Sequence, residues 1–437
     1  MELTLAFVLY LGSTVLLLAL GKSMLWPLAV GFVLFSALAL RRGHSPREVG
    51  KMVVKSIPNS LIVVAVILLI GCLTGLWRLS GTIAYFVTLG VSLIPPRFFL
   101  LAAFLLASAM SYALGTSFGV TATAGVILMS IARAGDVNPM LAAGAIISGV
   151  YVGDRGSPAA SSASLVAAVT KTDLRENVRV MLRTSIAAFG VCVVLYGVLS
   201  LFCPMEKSDP AVLIELGAEF RLGWVCLIPA VLMILLPFCR MPVKWAMAVS
   251  ILVSAAISVF WQGNSLRSCV RAMLAGYTAK NPALEEVLSG GGVVSMLEVS
   301  GILLLSGAMG GVLQGAELLR PLHSRIGKLS GRIGRFPTML LLSVAVCAVF
   351  CNQTIGIIML GQLSGALYRA DEKKAWMSDI ENSVVTVAGL VPWCIASAVP
   401  RAMLGASAAS IPMSAFLWLV PLWTLLAGKR RKSAEKH

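Results

Sequence analysis

The chain has 437 residues, of which 58% are hydrophobic and only 12% are charged, and its mean hydropathy is +0.91. Because soluble globular chains carry about 25% charged residues, this composition excludes a water-soluble fold and makes the lipid bilayer the expected partner of most of the chain. The formal net charge of +16 is carried by short Lys and Arg segments between apolar runs. That distribution is typical of loops that set membrane topology, and it does not indicate nucleic-acid binding.

Apolar runs follow one another along the chain and predict an all-α, polytopic membrane protein. A membrane-spanning helix needs about 20 mostly apolar residues. The predicted runs lie at 3–20, 25–40, 61–77, 82–94, 98–114, 120–132, 141–152, 181–202, 223–238, 245–261, 293–313, 337–350, 355–368, 380–398 and 403–426. Several are too short or too polar to cross the bilayer alone, so we expect roughly ten to twelve transmembrane helices, with the other segments re-entrant or broken.

The distribution of basic residues predicts the orientation in the membrane. Lys and Arg concentrate in the segment 41–55 and in the tail 429–432, and loops of this kind stay in the cytoplasm. Two apolar runs precede the first of these segments. We therefore expect both termini in the cytoplasm and a multi-pass protein of the cell (inner) membrane.

Two parts of the chain show weak internal similarity. The stretch ILLIGCLTG (67–75) resembles ILLLSGAMG (302–310), and each is followed, roughly forty residues later, by a polar interruption, which is the pattern of a transporter built from inverted repeats. Chance similarity between Leu-rich helices is the alternative. The predicted organisation is N-terminal transmembrane helices with a cytoplasmic linker (1–58), a first repeat (59–203), a connecting region with transmembrane helices (204–292), a second repeat (293–427) and a basic cytoplasmic tail (428–437).

The most polar interruption at membrane depth is GVYVGDRGSPAASSAS (149–164), which holds an acid, a base, a proline and several serines. A helix breaks in hydrocarbon only where its backbone is buried or lines a cavity. We therefore expect unwound backbone at 153–164, and at 351–356 in the second half, whose oxygen atoms bind a small solute. A surface loop with a solvated Asp154–Arg155 pair is the alternative. The expected ligands, two of them from the interruption at 115–121, are Asp154, Ser157, Ser161, Ser162, Ser164, Thr116 and Ser117.

The second half of the chain supplies further polar groups. Those expected to complete the site are Asn352, Gln353, Thr354, Glu381, Asn382 and Ser383. Hydrogen bonds between helices are an alternative role for the first three, and Asp379 fits a helix N-cap as well as a ligand. Glu298, an isolated acid in an apolar run, is a further candidate, as a proton relay.

Neither a metal centre nor an enzyme is predicted. The nine cysteines lie mostly in apolar stretches without a CxxC pair, the three histidines are scattered, and no HExxH motif occurs. A structural or catalytic metal is therefore not expected. No cofactor motif is visible and no soluble partner is indicated, while a homodimer is left open.

Four stretches carry a family resemblance: GTSFGVTATAG (115–125), AAGAIISGVYVGDRGSP (142–158), TKTDLRENVRVMLRTS (170–185) and ENSVVTVAGLVPW (381–393). They resemble the signature regions of NhaC-type sodium/proton antiporters. The resemblance covers most of the chain in order. It implies an inner-membrane exchanger with two inverted repeats, each bearing a hairpin whose tip reaches the binding site, and with Na⁺ and H⁺ as transported or coupling ions.

The chain departs from the family where acids are expected. A Ser-Asp-Thr-Thr-Asn run is replaced by 160–164, an aspartate before the second-half glutamine is replaced by Asn352, and an acid pair becomes Glu381-Asn382. A cation-for-proton exchanger needs a titrating carboxylate, which Asp154 or Glu381 must then supply. The alternative is a Na⁺- or H⁺-coupled carrier of an amino acid or small organic acid. A channel and an intramembrane enzyme are the other classes considered.

Overall fold

The structure is a computed structural model that describes residues 2–205, 210–239, 241–318 and 323–434. Parts of the predicted connecting region, second repeat and basic tail (206–209, 240, 319–322 and 435–437) lie outside the described residues. The predicted all-α fold is confirmed: the described part of the chain forms helices and contains no β-strand beyond one isolated bridge between Tyr277 and Gly290.

The helices of the first half are α1 Glu2–Ala19, α2 Leu25–Arg41, α3 Pro46–Leu79, α4 Thr82–Leu93, α5 Phe99–Leu114, α6 Ser117–Val120, α7 Val126–Ala134, α8 Pro139–Gly156, α9 Ser161–Thr170 and α10 Leu174–Phe202. Those of the second half are α11 Pro210–Glu219, α12 Ile228–Phe238, α13 Val243–Ala256, α14 Leu266–Ala275, α15 Glu285–Leu288, α16 Leu297–Gly315, α17 His323–Ile333, α18 Arg335–Phe350, α19 Gln353–Ser364, α20 Lys373–Asn382, α21 Val384–Val387, α22 Ile395–Leu404 and α23 Ala415–Ala434. A π-helical turn, Thr121–Gly125, joins α6 to α7.

Six helical segments among the described residues are long and apolar enough to cross a membrane: Ser60–Leu79, Pro96–Leu114, Ser117–Ala134, Leu174–Phe202, Val243–Trp261 and Val294–Gly315. A pair of helices bent by 94° adds a seventh if it is one span, and eight apolar helices of 10–17 residues accompany them. The protein is therefore a multi-pass membrane protein in which many apolar helices are short or broken. Reaching the predicted ten to twelve crossings requires several of the short helices to complete spans together.

Two helix interruptions have nearly identical backbone geometry. After α5, Gly115 is left-handed (φ 65°, ψ 25°) and Thr116 is extended (φ −144°, ψ 121°). After α18, Cys351 is left-handed (φ 52°, ψ 16°) and Asn352 is extended (φ −142°, ψ 124°). In both places the extended residue caps the helix that follows. This agreement between the two halves is the relation expected of structural repeats.

The breaks are shorter than the sequence indicates. α8 continues as far as Gly156, so the expectation that 153–156 is unwound is wrong, and the non-helical segment is 157–160. The helix ends there because Ser157 precedes a proline, which disfavours helical geometry. Likewise, only Cys351 and Asn352 are non-helical in the second interruption, and α19 already begins at Gln353.

Glycines on α8 bring its backbone against α5. A Cβ atom added to Gly149 would lie 2.6 Å from the Phe104 carbonyl oxygen, and one added to Gly153 would lie 1.9 Å from the Ser111 carbonyl carbon. Ser111 Oγ in turn donates a hydrogen bond to the Val150 carbonyl oxygen. Small residues four apart allow membrane helices to approach this closely. The contact fixes the depth of the last turn of α8, which follows Gly153.

A second close contact joins α3 to α16. Cβ atoms added to Gly307 and Gly311 would lie 2.1 and 2.5 Å from the hydroxyl oxygens of Ser60 and Ser56, respectively. α3 and α16 contain the two internally similar stretches, 67–75 and 302–310. The contact of Ser60 with Gly307 therefore lies between the predicted repeats, whereas Ser56 belongs to the predicted N-terminal segment (1–58).

Candidate functional site

The Asp154 carboxylate lies between the two interruptions. Asp154 is in the last turn of α8 and is only 5% exposed. Its Oδ1 accepts a hydrogen bond from Ser117 Oγ at 3.3 Å, and its Oδ2 accepts one from Gln353 Nε2 at 3.3 Å. Ser117 and Gln353 are the first residues of the helices that follow the two interruptions. The positive ends of these helices therefore stabilise the ionised carboxylate.

The four serines predicted around Asp154 divide into two pairs. Ser157 and Ser162 are buried; Ser162 Oγ donates to the Asp154 carbonyl oxygen, and Ser157 Oγ donates to a backbone carbonyl of α5 at 2.7 Å. Ser161 and Ser164 are exposed. The structure thus brings Ser157 and Ser162 to the break beside Asp154, whereas Ser161 and Ser164 lie outside the packed interior.

Thr116 and Asn352 serve as N-caps in the two interruptions. Thr116 Oγ1 accepts a hydrogen bond from the Gly119 amide at 3.3 Å, and Asn352 Oδ1 accepts one from the Thr354 amide at 2.9 Å. Both polar atoms therefore satisfy helix amides that would otherwise have no partner. The Thr354 side chain is exposed. Of these three predicted ligands, none has a hydrogen bond to Asp154 in the described structure.

Glu381 is the second buried acid and comes from α20. Its side chain is 0% exposed, and neither carboxylate oxygen has a hydrogen-bond partner among the described residues. The carboxylates of Glu381 and Asp154 are close enough to interact electrostatically. A buried carboxylate with no partner is costly while charged. Glu381 is therefore a natural acceptor for a proton or a cation.

Arg155 connects the elements around the two acids, and sequence analysis gave it no functional role. It is 1% exposed; its Nε donates to the Glu381 carbonyl oxygen at 3.3 Å, and its Nη2 donates to Asn382 Oδ1 and to Thr184 Oγ1. Its Nη1 donates to the Met181 carbonyl oxygen at 3.0 Å. Arg155 thus joins α8, α10 and α20. The signal that could have identified it is an arginine in an apolar, intramembrane segment.

The bounds of α20 differ from the sequence prediction. The interpretation of Asp379 as an N-cap is wrong, because α20 begins at Lys373 and Asp379 lies in its second half. The Asp379 carboxylate accepts a hydrogen bond from the Tyr368 hydroxyl at 2.6 Å. Ser383 is buried at the break after α20 and donates to the Asp379 carbonyl oxygen at 2.5 Å. Asp379 and Ser383 therefore lie beside the Glu381 turn without a described hydrogen bond to its carboxylate.

Glu298 lies apart from these groups. It is exposed in the first turn of α16, and its Oε1 accepts a hydrogen bond from Ser23 Oγ at 2.6 Å. No described hydrogen bond or ion pair connects Glu298 to Asp154 or Glu381.

Two cavities approach the site. The first, here called the Asn352 cavity, has a volume of about 730 Å³. Its lining includes Lys51, Lys55, Ser56, Gly311, Asn352 and Thr354. The second, the Asn382 cavity, has a volume of about 900 Å³. Its lining includes Arg183, Thr184, Arg335, Lys374, Asp379 and Asn382. Basic residues at both cavities indicate that they open on the side predicted to be cytoplasmic.

Gly115–Gly119 also has the G-x-S-x-G spacing of a hydrolase nucleophile elbow. In hydrolases that serine lies between a strand and a helix and is activated by a histidine. Here Ser117 follows a helix, and its hydroxyl donates to Asp154, with no histidine in contact among the described residues. The spacing therefore positions a hydroxyl beside a carboxylate.

The comparisons with known proteins agree with this geometry. The model of the Na⁺/H⁺ antiporter family matches residues 1–164 and 149–428. The malate-2H⁺/Na⁺-lactate antiporter of Bacillus subtilis (strain 168) is 28% identical over 90% of this chain and 85% of its own length. The Na⁺/H⁺ antiporter NhaC of Alkalihalophilus pseudofirmus is 27% identical over 83% of this chain and 80% of its own. The Na⁺/H⁺ antiporter NhaC of Bacillus subtilis (strain 168) is 28% identical over 93% of this chain and 92% of its own length. Since the family model matches nearly the whole chain, the protein belongs to the Na⁺/H⁺ antiporter family.

Proposed function

We propose that this protein is a secondary transporter that exchanges Na⁺ for H⁺ across the cell (inner) membrane, with both termini in the cytoplasm. The observation that carries the proposal is the Asp154 carboxylate, held between Ser117 and Gln353 at the two interruptions, with the unpartnered Glu381 carboxylate nearby. Carboxylate and hydroxyl oxygens suit a hard monovalent cation. A proton binds the same carboxylates, so the two ions compete for one site.

The residues that meet around Asp154 take different parts in this proposal. Asp154 binds the cation, and the Ser117 hydroxyl and the unwound backbone at 157–160 supply neutral oxygen atoms. Glu381 is the second acid and receives the proton or shares the cation. Thr116, Asn352 and Asn382 hold the surrounding elements in position through their capping and Arg155 contacts. No cofactor is needed, because the ions are the substrates.

The two cavities support access from the side predicted to be cytoplasmic. The Asn352 cavity reaches the cap of α19, one residue before Gln353, and the Asn382 cavity reaches the residue after Glu381. Asp154, Gln353 and Glu381 are not among the residues that line either cavity. The carboxylates therefore do not open directly into either cavity, which fits an occluded state of a transporter with one buried site.

The rival function is exchange of a small organic acid, and the B. subtilis malate and lactate antiporter among the relatives favours it. An organic carboxylate would need a cationic partner, for which Arg155 is the obvious residue at the site. However, Arg155 already donates through Nε, Nη1 and Nη2 to protein oxygen atoms. A solute could bind it only by displacing those contacts, so the structure favours the inorganic cation.

Purified protein in sealed proteoliposomes separates the two functions. An imposed Na⁺ gradient is expected to drive a pH change inside the vesicles, followed with a trapped pH-sensitive dye, in the absence of any organic solute. Radiolabelled malate, lactate and an amino-acid panel are expected not to accumulate. Uptake of a labelled solute without a Na⁺-driven pH change would replace the proposed function by the rival.

Glu298→Gln is expected to leave exchange nearly unchanged, within about twofold of wild type, because an exposed hydrogen bond to Ser23 contributes little. The measurement is the initial rate of Na⁺-driven pH change at matched protein density. A rate lowered about tenfold or more would restore Glu298 as a proton relay.

A further inference from the structure

The charged groups at the site fix how many ions it can hold, if the proposed exchange is correct. Among the described residues, three acidic or basic side chains meet there: the acids Asp154 and Glu381, which are 5% and 0% exposed, and Arg155, which is 1% exposed. Tyr151 also interacts with Asp154, but its hydroxyl donates to the Ala396 carbonyl oxygen at 2.6 Å. A phenol that donates in this way is neutral.

Arg155 is a permanent charge at this position. A guanidinium keeps its proton in proteins. Arg155 is held by four hydrogen bonds, to the backbone of Glu381 and Met181 and to the side chains of Thr184 and Asn382. None of these acceptors is charged. The positive charge is therefore fixed in place and is not cancelled by a direct ion pair in the described structure.

Helix ends add little to the net charge. The helices that begin at Ser117 and Gln353 direct positive ends towards Asp154, while Asp154 and Glu381 each lie in the last turn of a helix, where the partial charge is negative. Two positive and two negative ends, each of about half an elementary charge, cancel to a first approximation. With both acids ionised, the site carries a net charge of about −1.

We propose that Arg155 limits the site to one monovalent positive charge at a time, so that the protein exchanges one Na⁺ for one H⁺ without moving net charge. A buried site with uncompensated charge is strongly disfavoured in a low-dielectric interior. The two neutral states hold either one Na⁺ with both acids ionised or one proton and no Na⁺. Conversion between them releases one ion for each ion bound, so charge balances.

Two neutral residues near the site agree with this count of charges. Asn352 and Asn382 stand at positions where a further acid would add a negative charge, and both use their side-chain oxygen atoms for capping or for Arg155. Asp379, two residues before Glu381, faces a different group of charges. It contacts Tyr368 and interacts with Arg335, so it does not change the charge beside Glu381.

The null point of exchange is the pH difference at which an imposed Na⁺ gradient drives no net exchange. Its value in wild-type proteoliposomes, clamped at zero membrane potential with K⁺ and valinomycin, tests the stoichiometry. For one-to-one exchange, a tenfold Na⁺ gradient is balanced by a pH difference of about one unit, and for two protons per Na⁺ by about half a unit. A potential of about 100 mV should leave the null point unchanged, whereas each net charge moved would shift the balancing Na⁺ gradient about 50-fold. A balancing pH difference of about half a unit, or a null point that moves with the membrane potential, overturns the proposal.

A binding measurement keeps this result separate from the proposed function. Titration of detergent-solubilised protein with NaCl, by calorimetry in buffers of different ionisation heats, reports the protons released for each Na⁺ bound. At pH values below the midpoint of this release, where the Na⁺-free site holds its proton, we expect about one proton for each Na⁺, even if the protein moves another cargo. Release of no proton, release of two, or absence of Na⁺ binding would each contradict the charge count.

Variants of Arg155 test its part directly. Arg155→Lys keeps the charge and should keep one proton released for each Na⁺. Arg155→Gln removes it, so both carboxylates bind protons more tightly and the pH midpoint of Na⁺-induced proton release should move to higher pH by at least about one unit. A purely structural role would lower the yield of both variants and leave the midpoint unchanged. If Arg155→Gln cannot be purified, Arg155→Lys and the wild-type null point decide.

Discussion

Asp154→Asn is expected to lower Na⁺-driven pH change in proteoliposomes by about 100-fold or more. The substitution preserves the size of the side chain and its ability to bond Ser117, but it removes the charge that a cation requires. A charged ligand is worth about 3 kcal/mol, which corresponds to about two orders of magnitude in binding. The initial rate and the Na⁺ concentration for half-maximal rate are measured from about pH 6 to about pH 9, a range in which buried carboxylates can change protonation.

A matched control for this variant is Asp136→Asn. Asp136 is exposed after α7 and has a left-handed backbone, with φ 51°, which asparagine tolerates well. Its exchange should equal that of wild type. Wild-type rate and Na⁺ affinity in Asp154→Asn would remove Asp154 from the site.

Glu381→Gln distinguishes the two acids. It should weaken both Na⁺ binding and the proton release that accompanies it, because Asp154 and Arg155 then balance each other and a bound Na⁺ would leave a net positive charge. The loss of Na⁺ affinity should stay smaller than in Asp154→Asn, because Asp154 keeps its Ser117 and Gln353 contacts. Calorimetric titration with NaCl gives both quantities. Equal loss of Na⁺ affinity in Asp154→Asn and Glu381→Gln would instead mean that the two acids bind the cation as equal ligands.

Gly153→Ala is expected to have the largest effect on stability. Its added Cβ would lie 1.9 Å from the Ser111 carbonyl carbon and 2.2 Å from the Tyr112 amide nitrogen, and backbone atoms cannot move aside as the end of a side chain can. Overpacking costs about 1–3 kcal/mol when side chains adjust, so at least about 3 kcal/mol is expected here. The readout is the unfolding temperature of detergent-purified protein, together with the yield of monodisperse protein.

Gly190→Ala, in the middle of α10, is the matched control. No atom outside the neighbouring turns of α10 lies within 4 Å of a Cβ added to Gly190, and alanine is the better helix former by up to about 1 kcal/mol. This variant should be as stable as wild type or slightly more stable. Similar unfolding temperatures for Gly153→Ala and wild type would show that α5 and α8 are not packed as closely as described.

The fold class and the central acid could be predicted from the sequence because both depend on strong local signals. Apolar runs with few charges indicate membrane helices, and polar residues inside such runs mark the places where helices break. Asp154, Ser117 and Gln353 were identified in this way, and the structure brings them into contact. Roles for these residues in binding stay a prediction.

Other features required knowledge of the tertiary structure. Arg155 follows Asp154 and therefore resembles one half of a solvated pair, although its partners lie 26 or more residues away. Ser161 and Ser164 were grouped with Ser157 and Ser162 by composition, but the helical period of α9 places the first two at the surface. The start of α20 was missed because its first turn is polar and resembles a loop.

The glycine contact between α3 and α16 has a consequence for motion. Where glycine backbone faces small side chains, no long side chains interlock, so one helix can slide along the other at little steric cost. Gly307, Gly311, Ser56 and Ser60 also line the Asn352 cavity. Such a movement would change the width of the Asn352 cavity beside α19. Gly311→Val would both block the movement and narrow the cavity.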